Sequence, residues 1–404
     1  MSSPSTLSTL PFATALRRWD IFCEVIDNFG DIGVCWRLAR QLTDEYAFSV
    51  RLWVDDLNAF RQLNPDVRVD LAVQTTGGVE IRHWKRGVDE TDVLAKSCGT
   101  LGDVVVEAFA CRLPEAFEIA MARRHPKPVW INLDYLSAES WVAEYHGLPS
   151  PHPHLPLIKH FYFPGFSHAT GGLLRERALE VKRQAFVAGT QRTDFLVRLG
   201  IPRSRLEDDT DTVLVSLFSY ENKALGQLLQ AWSCGPLHVI CIAPPGRHIK
   251  DLEDFAQRPL EVGDVVRKGS LELCLIPFLL QPDYDRLLWA CDLNFVRGED
   301  SFVRAQWAAR PFIWHIYPQP DGAHQAKLNA FLDLHLAETE PTLAISLRNA
   351  MRAWNGIEPF SALDWENLTT ILPQWRQSAV SWQNRLMNQA DLCAKLVQFC
   401  QSRL

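Results

Sequence analysis

Two acidic side chains four residues apart, Asp27 and Asp31, stand in the run Asp27-Asn28-Phe29-Gly30-Asp31-Ile32-Gly33, after an apolar segment and before a helical pattern. A carboxylate in such a loop can serve as a general base or as an electrostatic anchor for a nucleophile, and glycines let the main chain bend close to a substrate. On spacing alone, capping of the next helix by Asp31, with Gly30 in the turn, is the commoner use. A dinucleotide fingerprint is excluded, because G-x-G-x-x-G is absent and two carboxylates would repel a pyrophosphate.

A second segment, residues 295–307, runs from strand residues through a glycine turn into a new helix. Amide groups at that helix start would face a ligand, and Arg297 can grip phosphate oxygens with two parallel hydrogen bonds. Glu299 and Asp300 can accept from sugar hydroxyls and Ser301 can donate to phosphate, with capping by Asp300 or Ser301 as an equal alternative. In a third segment Phe218 and Tyr220 end a strand, where flat rings can stack on a nucleobase, although aromatic residues there are more often core. A fourth holds Phe278, Gln281 and Tyr284; Gln281 offers one donor and one acceptor to a pyrimidine edge.

These loops need elements to hold them. Short apolar runs over 19–26, 50–54, 103–108 and 129–133 alternate with helical patterns over 34–46, 114–124 and 138–145. The alternation restarts with strands over 212–218, 237–242, 271–277, 293–296 and 312–315, and helices over 222–232, 282–291 and 300–308. Each half reads as a parallel sheet covered by helices, an α/β class in which ligands bind beyond the carboxyl ends of strands. The Pro-rich stretch 148–172 marks the crossing in or soon after it, a helical segment over 174–199 begins the second half, and the chain ends in a helix over 381–399. The expected division is a loose tail over 1–18, a first Rossmann-like unit over 19–175, a second over 176–380, and a C-terminal helix over 381–404 able to pack back on the first.

Composition narrows the function. With 404 residues, 47% hydrophobic and 22% charged, the chain is long enough for two globular units. A net charge of −7 disfavours nucleic acid and anionic membrane as partners, yet leaves room for one anion held locally. No run reaches the roughly 20 apolar residues of a membrane span. The 10 cysteines include no C-x-x-C pair, so structural zinc is disfavoured and a reducing cytoplasm is the expected location. His152 and His154 lie in a Pro-interrupted stretch, a poor metal site. Trp354, Trp365, Trp375 and Trp382 read as packing anchors, and no G-x-S-x-G elbow supports a serine hydrolase.

Taken together, Trp19-Asp20-Ile21-Phe22-Cys23, the 27–33 run with Trp36-Arg37-Leu38-Ala39-Arg40, Phe218-Ser219-Tyr220-Glu221-Asn222, and Arg297-Gly298-Glu299-Asp300-Ser301-Phe302-Val303-Arg304-Ala305-Gln306-Trp307 resemble the bacterial protein-arginine rhamnosyltransferases that modify elongation factor P, the EarP family. The resemblance spans the chain from about residue 19 to the last helix. Its departures are a longer N-terminal leader and Tyr284, where some members have Phe, which keeps an aromatic face.

The resemblance implies two Rossmann-like domains facing a cleft, the GT-B glycosyltransferase architecture. It also implies transfer of L-rhamnose from dTDP-β-L-rhamnose to an arginine of elongation factor P, with inversion and without a metal or other cofactor. Asp31 matches the general base, Asp27 the acceptor side, and Glu299 a residue important for activity. Asn28, Phe29, Gly30, Tyr220, Gln281 and the run Arg297, Gly298, Glu299, Asp300 and Ser301 match donor-binding positions, with Phe218, Phe278 and Tyr284 around the base. Competing readings are a GT-B enzyme with another donor or a small-molecule acceptor, and a non-catalytic nucleotide-sugar-binding protein. A dehydrogenase is weakest, since its fingerprint is missing.

Overall fold

The computed structural model describes residues 17–27, 29–84, 101–206, 212–359 and 361–403, apart from the side chains of 362, 363 and 366. The expected tail up to residue 16, Asn28 and Cys98 lie outside the described residues.

Two sheets form. The first has eight strands in the order Val73–Thr76, Val79–His83, Ser49–Val54, Arg18–Cys23, Val104–Ala108, Val129–Leu133, Ile158–Tyr162 and Pro149–Pro151. Its inner pairs are parallel and each edge is an antiparallel hairpin. The second has six strands, Val265–Lys268, Leu271–Leu275, His238–Ala243, Thr212–Leu217, Leu293–Arg297 and Phe312–His315, with only the first pair antiparallel. These are the two Rossmann-like domains of the GT-B architecture. The central strands are apolar along their whole length because both faces are covered, as in Val104–Ala108, where every residue is buried.

The edge strands are absent from the expected elements. The Gly77-Gly78 turn has φ of +52° and +78°, values that suit a tight hairpin, and a Gly-Gly pair between β-branched residues was a legible signal for it. Pro149 and Pro151 stand on an outermost strand, a position where a missing amide donor breaks no ladder. The Pro-rich stretch is therefore partly a hairpin of the first sheet rather than a free linker. The helical segment expected over 174–199 is two helices, Leu179–Ala188 and Gln191–Arg198.

The last helix also differs from expectation. Residues 381–399 belong to two helices, Leu372–Met387 and Leu392–Gln401, separated where Asp391 caps the second by accepting from the Ala394 amide at 3.0 Å. Trp375, Trp382 and Leu386 of the earlier helix pack in the second domain's core, together with Trp354 and Trp365. Leu392, Cys393, Leu396, Val397 and Cys400 of the later one pack instead against the first sheet with Ile21, Leu38 and Val106. The chain thus ends on the domain where it began.

Leu396 is fully buried in that contact. Leu396→Ala should cost about 2–5 kcal/mol, the usual range for emptying a packed leucine site. Urea unfolding with an unchanged midpoint would mean that the terminal helix contributes nothing to the first domain's stability.

Candidate functional site

In each sheet one central strand has neighbours whose connections run to opposite sides, and a crevice opens beyond its carboxyl end. Arg18–Cys23 occupies that place in the first sheet, between Ser49–Val54 and Val104–Ala108. Thr212–Leu217 occupies it in the second, between His238–Ala243 and Leu293–Arg297. The segments that leave these two strands carry Asp27 and Asp31 on one side and Phe218 and Tyr220 on the other. They meet: the Tyr220 hydroxyl donates to Asp27 Oδ2 at 2.5 Å.

The helix Gly30–Tyr46 begins four residues before the apolar periodicity, so Asp31 lies in its first turn. Asp31 does not cap that helix. Its Oδ2 reaches back to accept from the amides of Ile26 and Asp27, both at 2.8 Å, and only 2% of the residue is exposed. Burial raises its proton affinity, the two amides oppose that, and the Asp27 carboxylate raises it further; the Tyr135 hydroxyl also hydrogen-bonds to Asp31. The Gly30 amide is held by the Asp27 carbonyl at 2.6 Å, and a Cβ on Gly30 would stand 2.8 Å from Asp27 Oδ2. A side chain at position 30 would have to displace the Asp27 carboxylate.

Across the cleft, Gly298 ends the strand Leu293–Arg297 with φ +59°, and a Cβ on it would lie 2.7 Å from Asp27 Oδ2 and 2.9 Å from the Tyr220 hydroxyl. The Arg297 guanidinium sits over Phe218 at 4.4 Å and Tyr220 at 4.7 Å, and its Nη1 is buried without a hydrogen-bond partner among the described residues. Burial lowers its proton affinity, with Tyr220 and Asp27 opposing. A desolvated cation with an idle donor is ready for an anion. The helix Asp300–Ala308 starts beside it, uncapped by any side chain. Ser301 Oγ turns inward, accepting from the Arg297 amide at 3.0 Å and donating to the Arg297 carbonyl. Asp300 is committed elsewhere: Oδ1 accepts from Arg37 Nε at 2.7 Å and Oδ2 from Gln281 Nε2 at 3.2 Å. Neither residue acts as a cap.

One cavity is lined by Asp27, Phe29, Gly30, Phe218, Phe278, Gln281, Tyr284, Arg297, Asp300 and Ser301. Phe29 meets Phe278 at 5.0 Å across the two domains, and Phe218 meets Tyr284 edge-on at 5.8 Å, which makes an aromatic wall. Tyr220 and Gly298 reach the lining residue Asp27 directly, Asp31 accepts from its amide, and Glu299 lies within the field of Asp31. Glu299 Oε2 accepts from the Leu136 amide of the first domain at 3.0 Å, while burial, opposed by that amide and reinforced by Asp31, pushes its carboxyl up to about 8.

Two neighbours of this site have no motif to announce them. Tyr135 follows the strand Val129–Leu133 and stacks on Phe109 at 4.5 Å, with Lys327 5.6 Å from its ring. Phe109 has φ +56°, a left-handed value that a bulky residue adopts only when its surroundings hold it there. Arg37, one turn after Gly33, crosses to the second domain. Elsewhere His152 hydrogen-bonds its own loop through Nδ1 and stands 3.4 Å from Glu118. No three His, Cys, Asp or Glu side chains gather as metal ligands among the described residues, and no helix there is long and apolar enough to cross a membrane.

Comparison with known proteins fits this geometry. A UGT transferase from Siraitia grosvenorii, solved with UDP, superposes with a TM-score of 0.52 at 10% identity over 95% of this chain and 99% of its own, a likeness of fold. A structure described as the structural basis for EarP-mediated arginine glycosylation of translation elongation factor EF-P superposes with a TM-score of 0.65 at 33% identity, over 96% of this chain and 99% of that one. The protein-arginine rhamnosyltransferase of Pseudomonas aeruginosa is 47% identical over 94% of this chain and 98% of its own length; that of Neisseria meningitidis serogroup B is 37% identical over 97% and 98%. The family model for the Elongation-Factor P (EF-P) rhamnosyltransferase EarP matches residues 19–401, and the chain belongs to that family.

Proposed function

We propose that the protein transfers L-rhamnose from dTDP-β-L-rhamnose to an arginine side chain of translation elongation factor P, inverting the anomeric carbon. The observation that carries this reading is the meeting of two unlike charge environments in one cleft. The acidic side chains of Asp27, Asp31 and Glu299 act on one another, and Asp27 also faces a buried Arg297 whose Nη1 has no hydrogen-bond partner among the described residues. The relatives' names supply the sugar and the acceptor.

The residue chemistry supports it. An arginine guanidinium stays protonated to a pKa above about 12, so its nitrogen becomes nucleophilic only when a neighbouring base shares or removes a proton. Asp31 is that base. As the nitrogen attacks C1 from the face opposite the diphosphate, the C1–O bond breaks, its electron pair leaves with dTDP, and the N–H proton passes to Asp31. Asp27 and Glu299 hold the cation's other N–H groups. Arg297 and the amides at the start of the Asp300–Ala308 helix, those of Asp300 and Ser301 included, take up the charge that develops on the leaving oxygens, a role that needs no divalent ion. Phe29, Phe218, Phe278 and Tyr284 enclose the thymine, with Gln281 toward its edge. Gly30 and Gly298 keep the main chain close, and Asn28 belongs to the donor loop by resemblance.

The elevated proton affinity of Asp31 gives a pH signature. The base must be ionised, so kcat/KM should fall on acidification with a midpoint above the usual carboxylate value of about 3.9. Asp31→Asn should lower transfer by at least about 100-fold while dTDP affinity stays within a few-fold. Turnover is read as one deoxyhexose added to an arginine of elongation factor P by mass spectrometry. Wild-type turnover in the variant removes Asp31 from the mechanism, and no mass gain on the acceptor removes the reading itself.

Arg297→Ala should weaken dTDP and dTDP-rhamnose alike by at least about tenfold, as loss of a charge-assisted phosphate contact does; unchanged calorimetric isotherms would refute the phosphate role.

Glu299 binds a proton up to about pH 8 when folded but only to 4.5 when free. Between those values folding takes up a proton, so this group's contribution is full below 4.5 and is lost as pH rises toward 8. Glu299→Gln should therefore be more stable than the parent at pH 7.5, with the advantage shrinking toward pH 5. Denaturation curves whose difference does not change with pH would show that Glu299 is ionised in the fold.

A further inference from the structure

A largely buried cluster of charged side chains lies not in the cleft but behind it. Arg37, on the first domain's helix Gly30–Tyr46, donates from Nη1 and Nη2 to Asp285 at 3.3 and 3.1 Å and from Nε to Asp300 at 2.7 Å, and it stands 3.6 Å from Glu176. Arg304 forks onto the same Asp285 at 2.9 and 2.7 Å and reaches Glu176 at 2.8 Å. Arg304 thus hydrogen-bonds both Asp285 and Glu176 without Arg37, in a cluster where two cations, Arg37 and Arg304, face three carboxylates, Glu176, Asp285 and Asp300. Asp300 has no other cation partner among the described residues.

Asp300 is the first residue of the helix whose amide end faces the Arg297 cavity. An unneutralised carboxylate there opposes a diphosphate, at a helix end that otherwise favours one. Gly33 and Arg37, one helical turn apart on a common face, together set where Asp300 points. A Cβ on Gly33 would stand 3.3 Å from the Asp300 carboxylate, and the Gly33 carbonyl accepts from Gln281, which also donates to Asp300.

We propose that Arg37 is a positioning residue for donor binding: from the first domain it neutralises and turns aside the Asp300 carboxylate of the second, leaving the helix amides open to the diphosphate. Donor affinity in one domain then depends on its apposition to the other. The inference rests on the donor assignment made above.

Calorimetric titration of the full chain with dTDP, and NMR titration with thymidine, which has no phosphate, test it. Arg37→Gln should weaken dTDP at least about tenfold and leave thymidine within about twofold, because only the charged part of the ligand senses Asp300. Arg37→Gln combined with Asp300→Asn should recover dTDP affinity to within about threefold of the wild type. Wild-type dTDP affinity in Arg37→Gln, an equal loss for thymidine, or a double variant as weak as the single one overturns the proposal. If Arg37→Gln does not fold, Arg37→Lys, which keeps the charge, decides: dTDP bound within about threefold of the wild type supports the proposal, and a loss of about tenfold with the charge retained overturns it. A wild type that does not bind dTDP at all overturns the donor assignment, and the proposal with it.

Discussion

Five charged groups at the seam between the two sheets, the buried Arg37, Arg304 and Asp285 with the partly exposed Glu176 and Asp300, constrain everything in front of them. Desolvating an ion costs several kcal/mol, and such a cluster repays it only when each guanidinium forks onto carboxylates in good geometry. Here Arg304 is 2% exposed and bonded to two acids, and Arg37 is 6% exposed and bonded to two with a third near. Such bonds tolerate little sliding. Their net worth in stability is small, but their geometric demand is not, and it sets the register in which helix Gly30–Tyr46 meets helix Asp300–Ala308.

That register brings the ends of the two switch-point strands together. Once Gly33 faces Asp300, Asp27 lies under Gly298 and the Tyr220 hydroxyl reaches the Asp27 carboxylate. Both glycines exist for this approach. The result is a cleft whose acids differ in proton affinity because their surroundings differ. Asp31 is buried yet served by two backbone amides, whereas Glu299 has one amide and the field of Asp31. Burial raises the proton affinity of both, and the two amides oppose that rise at Asp31. The cleft therefore holds two acids of unlike proton affinity side by side.

Much of the fold was legible. The strands over 129–133 and 312–315 and the helix over 300–308 match the observed Val129–Leu133, Phe312–His315 and Asp300–Ala308, since a run buried on both faces or a clean helical face leaves a strong periodic trace. The half-exposed edge strand Val73–Thr76 carries little apolar signal, and Asp391, which divides the last two helices, is one capping residue in a long helical stretch. In the site, Asp27, Gly30, Arg297 and Gln281 stood in loops that end strands, where ligand residues are expected. Tyr135 and Phe109 also follow strands, but neither belongs to an acidic, arginine or glycine pattern that would single it out, and their place depends on which loops fold against Asp31.

The sequence by itself determined the alternating pattern, the acidic and arginine-bearing loops at strand ends, and a family resemblance spread over the whole chain. Those are local properties, carried by residue type and spacing. It left open whether Asp31, Asp300 and Ser301 cap their helices. Only the tertiary structure decided that: Asp31 turns back to the amides of Ile26 and Asp27, Asp300 is taken by Arg37 from 263 residues away, and Ser301 folds onto Arg297. A side chain's partner is chosen by what else is buried beside it, and spacing along the chain holds no record of a contact made across two domains.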